Sequence, residues 1–261
     1  MEKGINLRKI QTTGAVRIKD FLKTLQMPYF ILDNTILDIK KFINQLVSNA
    51  KFGPVVVLVK KNTFKKTKFQ PQISKGIDQL HAIKTIIDHV NKESPIISTT
   101  GYISRILNEI NPESNKNFLV VGSMGHASQL ALGISHHKKN QIVICLDGDG
   151  SALMHMGSLA TIGAKSKNKF LHILLNNSCH ASVGGQPTTN TSVDFCSVAS
   201  SCGYQSTEST DNVKGIVDFM NNDLSFPAFL EVKISNKVPD SLSRPKSNLI
   251  ERKNMFMDCI K

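Results

Sequence analysis

The sequence of 261 residues lacks several features that would assign it to a broad class of protein. It has no run of 18 apolar residues, so we expect no membrane-spanning helix. The first residues, Met1 to Asn6, lack the apolar segment of a secretory signal. The five cysteines are odd in number and none are spaced as CxxC, which is typical of a reduced protein. We therefore expect a cytoplasmic protein with no membrane partner.

Positive charge is concentrated in the first third of the chain. Residues 1–75 contain 15 Lys or Arg against 4 Asp or Glu, a net charge of +11, out of a total of +12. Such a segment is compatible with binding to nucleic acid or to an acidic partner. Its lysines are not interleaved with aromatic side chains that would stack on bases. A solvated lysine-rich surface is thus the favoured interpretation, and nucleic-acid binding is a distant alternative.

Short apolar runs alternate with amphipathic segments along the whole chain. The runs predict strands at 29–32, 55–59, 95–98, 117–121, 141–146, 170–175, 203–207 and 227–234. The amphipathic segments predict helices at 16–25, 36–47, 80–90, 101–110, 127–134, 151–163, 193–202 and 211–221. This order predicts an α/β fold with a doubly wound, mostly parallel sheet and helices on both faces. We expect the tail from Val238 to wrap the surface.

A lysine-rich stretch that ends in Gln70-Pro71-Gln72 divides this pattern. We expect a partial α/β unit over residues 1–66, a linker over 67–75 and the main domain over 76–261. Two strands give too little sheet for the first unit to form a good core alone.

Polar turns follow two of the most apolar predicted strands. Gly148-Asp149-Gly150 follows one strand, and Asn176-Asn177 follows the other. In open α/β sheets, ligands bind at the carboxyl ends of the strands. The oxygens of Asp149 and Asn177 suit Mg²⁺ or Ca²⁺, and the flanking glycines let a ligand approach the backbone. Free N–H groups at Gly150 and Ser151 would favour a phosphate. We therefore predict a metal–diphosphate site rather than two unrelated turns.

These two turns together resemble the thiamine-diphosphate-binding motif of 2-oxo acid decarboxylases and their relatives. The four blocks at residues 98–101, 121–128, 153–157 and 180–188 resemble the phosphonopyruvate decarboxylase family, with the sulfopyruvate decarboxylases close behind. The resemblance covers about residues 76–235, the diphosphate-binding half. Residues 11–64 resemble the end of that family's pyrimidine-binding domain. The resemblance implies the thiamine-diphosphate-binding fold, with thiamine diphosphate and Mg²⁺ as cofactors.

The resemblance also implies roles for individual residues. Mg²⁺ would be bound by Asp149, by Asn177 and by the main-chain carbonyl of Cys179. Met124 would lie under the bend of the cofactor, and the carbonyl of Gly122 would accept a hydrogen bond from its 4′-amino group. The complete set expected to contact the cofactor is Gly122, Ser123, Met124, Gly148, Gly150, Ser151 and Asn177.

Four polar residues are candidates for holding the substrate and for catalysis. They are His126, His180, Ser182 and Gln186, which lie in or beside the family blocks. For His126 and His180 a structural hydrogen bond is the open alternative. For His155, approach to the cofactor and burial in the core are equally open. The family usually has an acidic residue where this chain has Ala181, which leaves the positioning of the substrate open.

The family requires a glutamate from its pyrimidine domain, and this chain has no glutamate between Glu2 and Glu93. We therefore expect an N-terminally incomplete chain. Either a second chain supplies the glutamate, in a homo-oligomer or as a complementary polypeptide, or the chain is a truncated product. The expected reaction is the thiamine-diphosphate- and Mg²⁺-dependent decarboxylation of 3-phosphonopyruvate to phosphonoacetaldehyde and CO₂. The alternatives are a beta-type subunit of sulfopyruvate decarboxylase and a non-catalytic cofactor-binding or regulatory subunit.

Overall fold

The structure is a computed structural model that describes residues 18–65, 74–238, 241–245 and 248–261. The chain divides into two compact units, Met1–Gln70 and Pro71–Lys261. Residues 66–73, which contain most of the expected linker, lie outside the described residues, as do residues 1–17. Residues 18–24 are helical, within the helix expected at 16–25. Among the described residues, no helix is both long and apolar enough to cross a membrane.

The first unit contains a two-stranded parallel sheet among its described residues. Strand β1 (Tyr29–Leu32) pairs with β2 (Val56–Val59), and helix α1 (Ile39–Ala50) connects them. Helix α1 begins after Asp38, whose side chain accepts a hydrogen bond from the Lys41 main-chain N–H at 2.9 Å. Among the described residues, these elements form one β–α–β crossover that follows the helical residues 18–24. The division of the chain into a partial unit, a linker and a main domain stays a prediction.

The second unit is built on a six-stranded, fully parallel sheet. Its strands are β3 (Ile96–Ser98), β4 (Asn117–Leu119), β5 (Val143–Gly148), β6 (Phe170–Asn176), β7 (Ser206–Thr210) and β8 (Ala228–Lys233). Their order across the sheet is β4-β3-β5-β6-β8-β7. The chain runs outward from β3 to β4 and then returns past β3 to β5. This reversal leaves a switch point between β3 and β5, where such sheets bind ligands at the carboxyl ends of the strands.

Helices cover both faces of this sheet, which confirms the predicted doubly wound fold. The helices are α2 (Gln79–His89), α3 (Tyr102–Ile110), α4 (Ala127–His137), α5 (Asp149–Met154), α6 (Gly157–Lys165), α7 (Phe195–Ser201), α8 (Val213–Asn221) and α9 (Leu249–Cys259). Helices α2, α3 and α8 share one apolar core with the sheet, and α4, α6, α7 and α9 share the other. Strands β5 and β6 are mostly apolar because both of their faces are buried, and Asp147 and His172 are the buried exceptions within them.

Three expectations about individual elements are wrong in detail. The single helix expected at 151–163 is two helices, because the backbone at His155 (φ −135°, ψ 51°) leaves the helical region. Strand β7 starts later than expected, since Gly203 has a φ of +104° and turns the chain first. The tail does not only wrap the surface. Its helix α9 packs Phe256, 2% exposed, against Phe118 with ring centroids 5.1 Å apart.

Candidate active site

The two polar turns meet at one edge of the sheet. Gly148 ends β5 opposite Leu175 of β6, so Asp149 and Asn177 follow directly from neighbouring parallel strands. Both residues line a pocket of about 70 Å³. The rest of its lining comprises Gln79, residues 99–103, Met124, Gly148, Gly150, Ser151, Leu175 and residues 179–182. A larger cleft of about 450 Å³ lies elsewhere, between residues 108–117 and 243–255.

Asp149 places a carboxylate at the buried wall of this pocket. The residue is only 2% exposed, and its Oδ2 accepts a hydrogen bond from Thr188 Oγ1 at 2.5 Å. Burial raises the pKa of Asp149, and the hydrogen bond from Thr188 partly offsets that rise. Among the described residues, no lysine or arginine lines the pocket. A cation bound here would therefore supply a positive charge to this buried carboxylate.

The two asparagines of the second turn have different roles. Asn177 lines the pocket, and its Oδ1 accepts a hydrogen bond from the Cys179 main-chain N–H at 3.1 Å. Asn176 is buried, and its Nδ2 donates to Glu231 Oε1 at 2.7 Å. Between Asn177 and Cys179, Ser178 has a φ of +60°, an uncommon value for a residue other than glycine. Of the two asparagines, Asn177 is thus the one available to a ligand in the pocket.

Gly150 has no room for a side chain, because His180 and Met124 pack against it. A Cβ atom at this position would lie 2.7 Å from His180 Cε1 and 3.3 Å from Met124 Cε. Met124 is half-buried and lines the pocket, whereas Gly122 and Ser123 before it are exposed. Those two residues have φ values of +71° and +43°, which form a tight turn. The turn and the missing Cβ together bring Met124 and His180 to the start of α5.

The side chain of Ser151 connects helix α5 to two loops of the site. Its Oγ lies 3.0 Å from Thr99 Oγ1, just beyond β3, and accepts a hydrogen bond from the Gly125 main-chain N–H at 3.0 Å. Ser151 is buried, so these contacts are shielded from water. The hydroxyl is therefore used within the protein, and a bound group would meet the main chain here.

Comparison with known proteins places this site in a family. The model of the "Thiamine pyrophosphate enzyme, C-terminal TPP binding domain" matches residues 99–232, which are half of the chain. The matched range begins directly after β3 and contains both polar turns, Met124 and Gly150. The chain belongs to the thiamine pyrophosphate enzyme family.

Two curated relatives with a named activity match part of this thiamine pyrophosphate enzyme. A phosphonopyruvate decarboxylase of Streptomyces viridochromogenes is 34% identical over 170 residues, which are 64% of this chain and 42% of the relative. A second one, from Streptomyces hygroscopicus, is 33% identical and is covered over 41% of its length. The chain thus spans less than half the length of the phosphonopyruvate decarboxylases that it matches.

Two further comparisons match a separate subunit and a solved structure. Sulfopyruvate decarboxylase subunit beta of Methanococcus maripaludis is 35% identical over 181 residues, which are 69% of this chain and 95% of that subunit. Benzoylformate decarboxylase from Polynucleobacter necessarius has a TM-score of 0.53 at 16% identity, over 70% of this chain and 36% of that chain. At that identity the likeness supports the fold alone.

The pocket of this thiamine pyrophosphate enzyme fits one end of the cofactor. Asp149 and Asn177 offer hard oxygen donors of the kind that Mg²⁺ binds. The carboxylate is buried, and the described lining residues include no lysine or arginine, so a divalent ion would balance its charge. Gly150 follows Asp149 and also lines the pocket, so its main chain lies beside the two oxygen donors. The residues present are therefore compatible with a diphosphate held through a metal ion.

The four candidate catalytic residues do not all lie at the pocket. His180 and Ser182 line it, the first half-buried and the second exposed. His126 is exposed and stacks on His155 with ring centroids 4.1 Å apart, outside the lining. Gln186 is also exposed and outside the lining, although its carbonyl accepts a hydrogen bond from the His180 main-chain N–H at 2.8 Å. The catalytic roles of all four stay predictions.

Sequence reasoning missed several buried polar residues that shape the site. Thr188 contacts Asp149, and Thr99 contacts Ser151. Asn190 Nδ2 donates to Asn176 Oδ1 at 2.6 Å. One of the missed residues had a visible signal, since Glu231 is a charged residue inside the apolar strand β8. The threonines and Asn190 lie in polar loops, where the sequence does not mark them out.

A second buried polar cluster lies between β5 and β6. Cys145, Asp147 and His172 bring one donor atom each within 4.8 Å of one another. His172 Nδ1 lies 3.0 Å from Tyr204 Oη, and its Nε2 lies 3.4 Å from Asp147 Oδ2. Burial raises the pKa of the Cys145 thiol well above its usual value. The described residues supply three donors here, one fewer than a closed zinc site requires, and we assign no metal to the cluster.

Proposed function

We propose that this chain binds Mg²⁺ and thiamine diphosphate and takes part in decarboxylating 3-phosphonopyruvate to phosphonoacetaldehyde and CO₂. The observation that carries the proposal is the convergence of Asp149 and Asn177 at one pocket beside Gly150. The family match and the 34% identity to a phosphonopyruvate decarboxylase support it. The five cysteines are unpaired, which supports a reducing compartment such as the cytoplasm.

In this proposal the chain holds the cofactor through both turns. Asp149, Asn177 Oδ1 and the main-chain carbonyl of Cys179 bind Mg²⁺. The main chain of Gly150 and Ser151 receives the diphosphate, with Gly148 and Ser123 close to it. When bound, thiamine diphosphate supplies an electron sink that accepts the electrons released as CO₂ departs.

The remaining residues of the pocket orient the cofactor and restrict water. Met124 would support the bound cofactor at its bend, and the carbonyl of Gly122 would accept a hydrogen bond from its 4′-amino group. Ile103, Met124 and Leu175 give the lining an apolar part. A drier site favours loss of a charged carboxylate from the substrate.

The substrate carries a second anionic group that needs several hydrogen-bond donors. His180 and Ser182 line the pocket, which supports them as donors to this group. His126 and Gln186 lie outside the residues that line the pocket, and they would donate hydrogen bonds to the same anionic group. The test of this assignment is substrate affinity, since removing a phosphonate donor should raise KM more than it lowers kcat.

A second chain would complete the site by supplying the activating glutamate. This chain has no glutamate between Glu2 and Glu93. The described part of its first unit has only a two-stranded sheet, and such a sheet is marginal by itself. Large apolar side chains there are exposed, including Phe21 at 61% and Val47 at 56%. Both facts support a complementary chain or a second copy as partner.

A beta-type subunit of sulfopyruvate decarboxylase is the second candidate. The specific observation in its favour is length, because the chain spans 95% and 97% of two such subunits. It spans only 42% and 41% of two phosphonopyruvate decarboxylases. The two candidates share the site and differ in the acid group of the substrate.

The experiment is a CO₂-release assay on the purified chain, alone and mixed with a glutamate-bearing partner chain. Phosphonopyruvate and sulfopyruvate are compared side by side, each with and without thiamine diphosphate and Mg²⁺. We expect turnover of phosphonopyruvate that needs both cofactors and the partner. Preference for sulfopyruvate would favour the second candidate. Cofactor binding without turnover of either substrate in every mixture would refute both and leave a non-catalytic subunit.

A further inference from the structure

Strand β8 contains a buried carboxylate that the proposed reaction does not use. Glu231 is 7% exposed and lies between the buried apolar residues Leu230 and Val232. Carboxylates are rarely buried unless both oxygens have partners, because their desolvation is costly. The partners of Glu231 therefore indicate what it does.

Both oxygens of Glu231 are bound by neighbouring strands. Oε1 accepts a hydrogen bond from Asn176 Nδ2 at 2.7 Å, and Oε2 accepts one from Ser209 Oγ at 2.7 Å. Asn176 ends β6 and Ser209 belongs to β7, the two strands that flank β8. The carboxylate thus connects three adjacent strands.

Asn176 also forms hydrogen bonds with the loop that follows β6, so it connects Glu231 to that loop. Its Oδ1 accepts hydrogen bonds from Asn190 Nδ2 at 2.6 Å and from the Ser178 main-chain N–H at 3.0 Å. Asn190 Nδ2 also lies 2.9 Å from Ser178 Oγ. One buried amide therefore holds both the start and the end of the segment 177–190.

That segment contains the groups that would bind the metal. Asn177 and Cys179 are expected ligands, and Thr188 contacts the third ligand, Asp149. Hydrogen bonds to a charged acceptor are stronger than neutral ones. Residues behind a metal site orient its ligands in this way.

We propose that Glu231 is a positioning residue for the metal-binding turn and acts through Asn176. The inference rests on the proposed function for the identity of the metal site. It does not depend on the substrate or on the partner chain. From the same contacts we also infer that Glu231 holds the segment 177–190 in the metal-free protein. This second part of the inference does not require a cofactor.

Three variants of the full chain separate positioning from stability. Glu231→Ala removes both acceptor oxygens and leaves Asn176 Nδ2 without this partner. Glu231→Gln keeps one oxygen for Asn176, and its amide can donate to Ser209 Oγ. Phe219→Leu reduces the packing of a buried residue on α8, away from the segment, and controls for loss of stability alone.

The first measurement is the affinity of each variant for Mn²⁺. Binding is monitored by electron paramagnetic resonance in the presence of saturating thiamine diphosphate. We expect Glu231→Ala to weaken Mn²⁺ binding about 10- to 100-fold, the range found for residues behind metal ligands. Glu231→Gln should stay close to the wild-type affinity, as should Phe219→Leu. Wild-type affinity in Glu231→Ala would overturn the inference.

The second measurement is amide hydrogen exchange of the metal-free variants. Exchange within 177–190 should be faster in Glu231→Ala than in Phe219→Leu when the two are compared at equal global stability. Equal exchange in this segment would overturn the inference. Failure of the wild-type chain to bind Mn²⁺ would instead refute the proposed function, and the exchange comparison would still decide whether Glu231 holds the turn.

Discussion

Replacing Asp149 with asparagine separates the charge of the site from its shape. The variant Asp149→Asn keeps the size of the side chain and an oxygen that can accept the hydrogen bond from Thr188 Oγ1. It removes the negative charge that a divalent cation would meet. Cofactor binding and metal-free stability should therefore respond in opposite directions.

The expected loss of binding can be expressed as a shift in melting temperature. A ligand at 100 times its Kd stabilises the native state by about 2.7 kcal/mol. For a domain of this size, 1 kcal/mol corresponds to about 2–4 °C. Wild-type protein should thus melt about 5–11 °C higher with thiamine diphosphate and Mg²⁺, from the same relations. Asp149→Asn should lose most of this shift.

The metal-free protein should show the reverse effect. Burial raises the pKa of Asp149 in the folded state, so folding favours its protonated form. The stabilising contribution of that form is fully present below the pKa of the unfolded chain and is lost as the pH rises through the raised pKa of Asp149. Above that pH the wild type contains a buried charge that the variant lacks. In the presence of EDTA at pH 7, Asp149→Asn should melt no lower than the wild type.

Thermal unfolding by calorimetry, with and without thiamine diphosphate and Mg²⁺, measures both effects. The matched control is Asp223→Asn, the same chemical change at an exposed position. The control should keep the full cofactor-dependent shift. The same shift in Asp149→Asn would refute the assignment of Asp149 as a metal ligand.

Three further predictions concern stability and are measured by urea unfolding. Thr188→Val removes the hydrogen bond to Asp149 and should destabilise the metal-free protein by about 1–3 kcal/mol, while raising the pKa of Asp149 further. Tyr204→Phe leaves His172 Nδ1 without its hydroxyl partner and should cost about 1–3 kcal/mol without weakening cofactor binding. Phe256→Ala should cost about 3–5 kcal/mol because this buried ring docks α9, and an unchanged midpoint would contradict that docking.

The sequence was sufficient to predict the main sheet and the meeting of its two polar turns. Strands β5 and β6 are short apolar runs with buried residues on both faces, which is typical of central parallel strands. Parallel neighbours end at the same edge of a sheet. The proximity of Asp149 and Asn177 therefore followed once the two strands were placed side by side.

Features that depend on tertiary contacts were not predictable in this way. The sequence does not distinguish the roles of Asn176 and Asn177. Only the folded structure shows that Asn176 contacts Glu231 and that Asn177 lines the pocket. Helix α9 has a single buried residue, Phe256, so its sequence gives little periodic signal. At the break between α5 and α6, the ring of His155 stacks on His126 at the start of α4, a contact between residues far apart in the pattern of apolar positions.

In the proposed function, cofactor binding and turnover depend on different parts of the site. Asp149 is held by Thr188, and the turn of Asn177 by the Asn176–Glu231 pair, all within the second unit. The expected activating glutamate has no counterpart between Glu2 and Glu93. Binding of thiamine diphosphate by the chain alone, without turnover, would therefore agree with a catalytic half as well as with a regulatory subunit. Only the mixture with a glutamate-bearing partner distinguishes them. That partner should restore turnover to a catalytic half and should not restore it to a non-catalytic subunit.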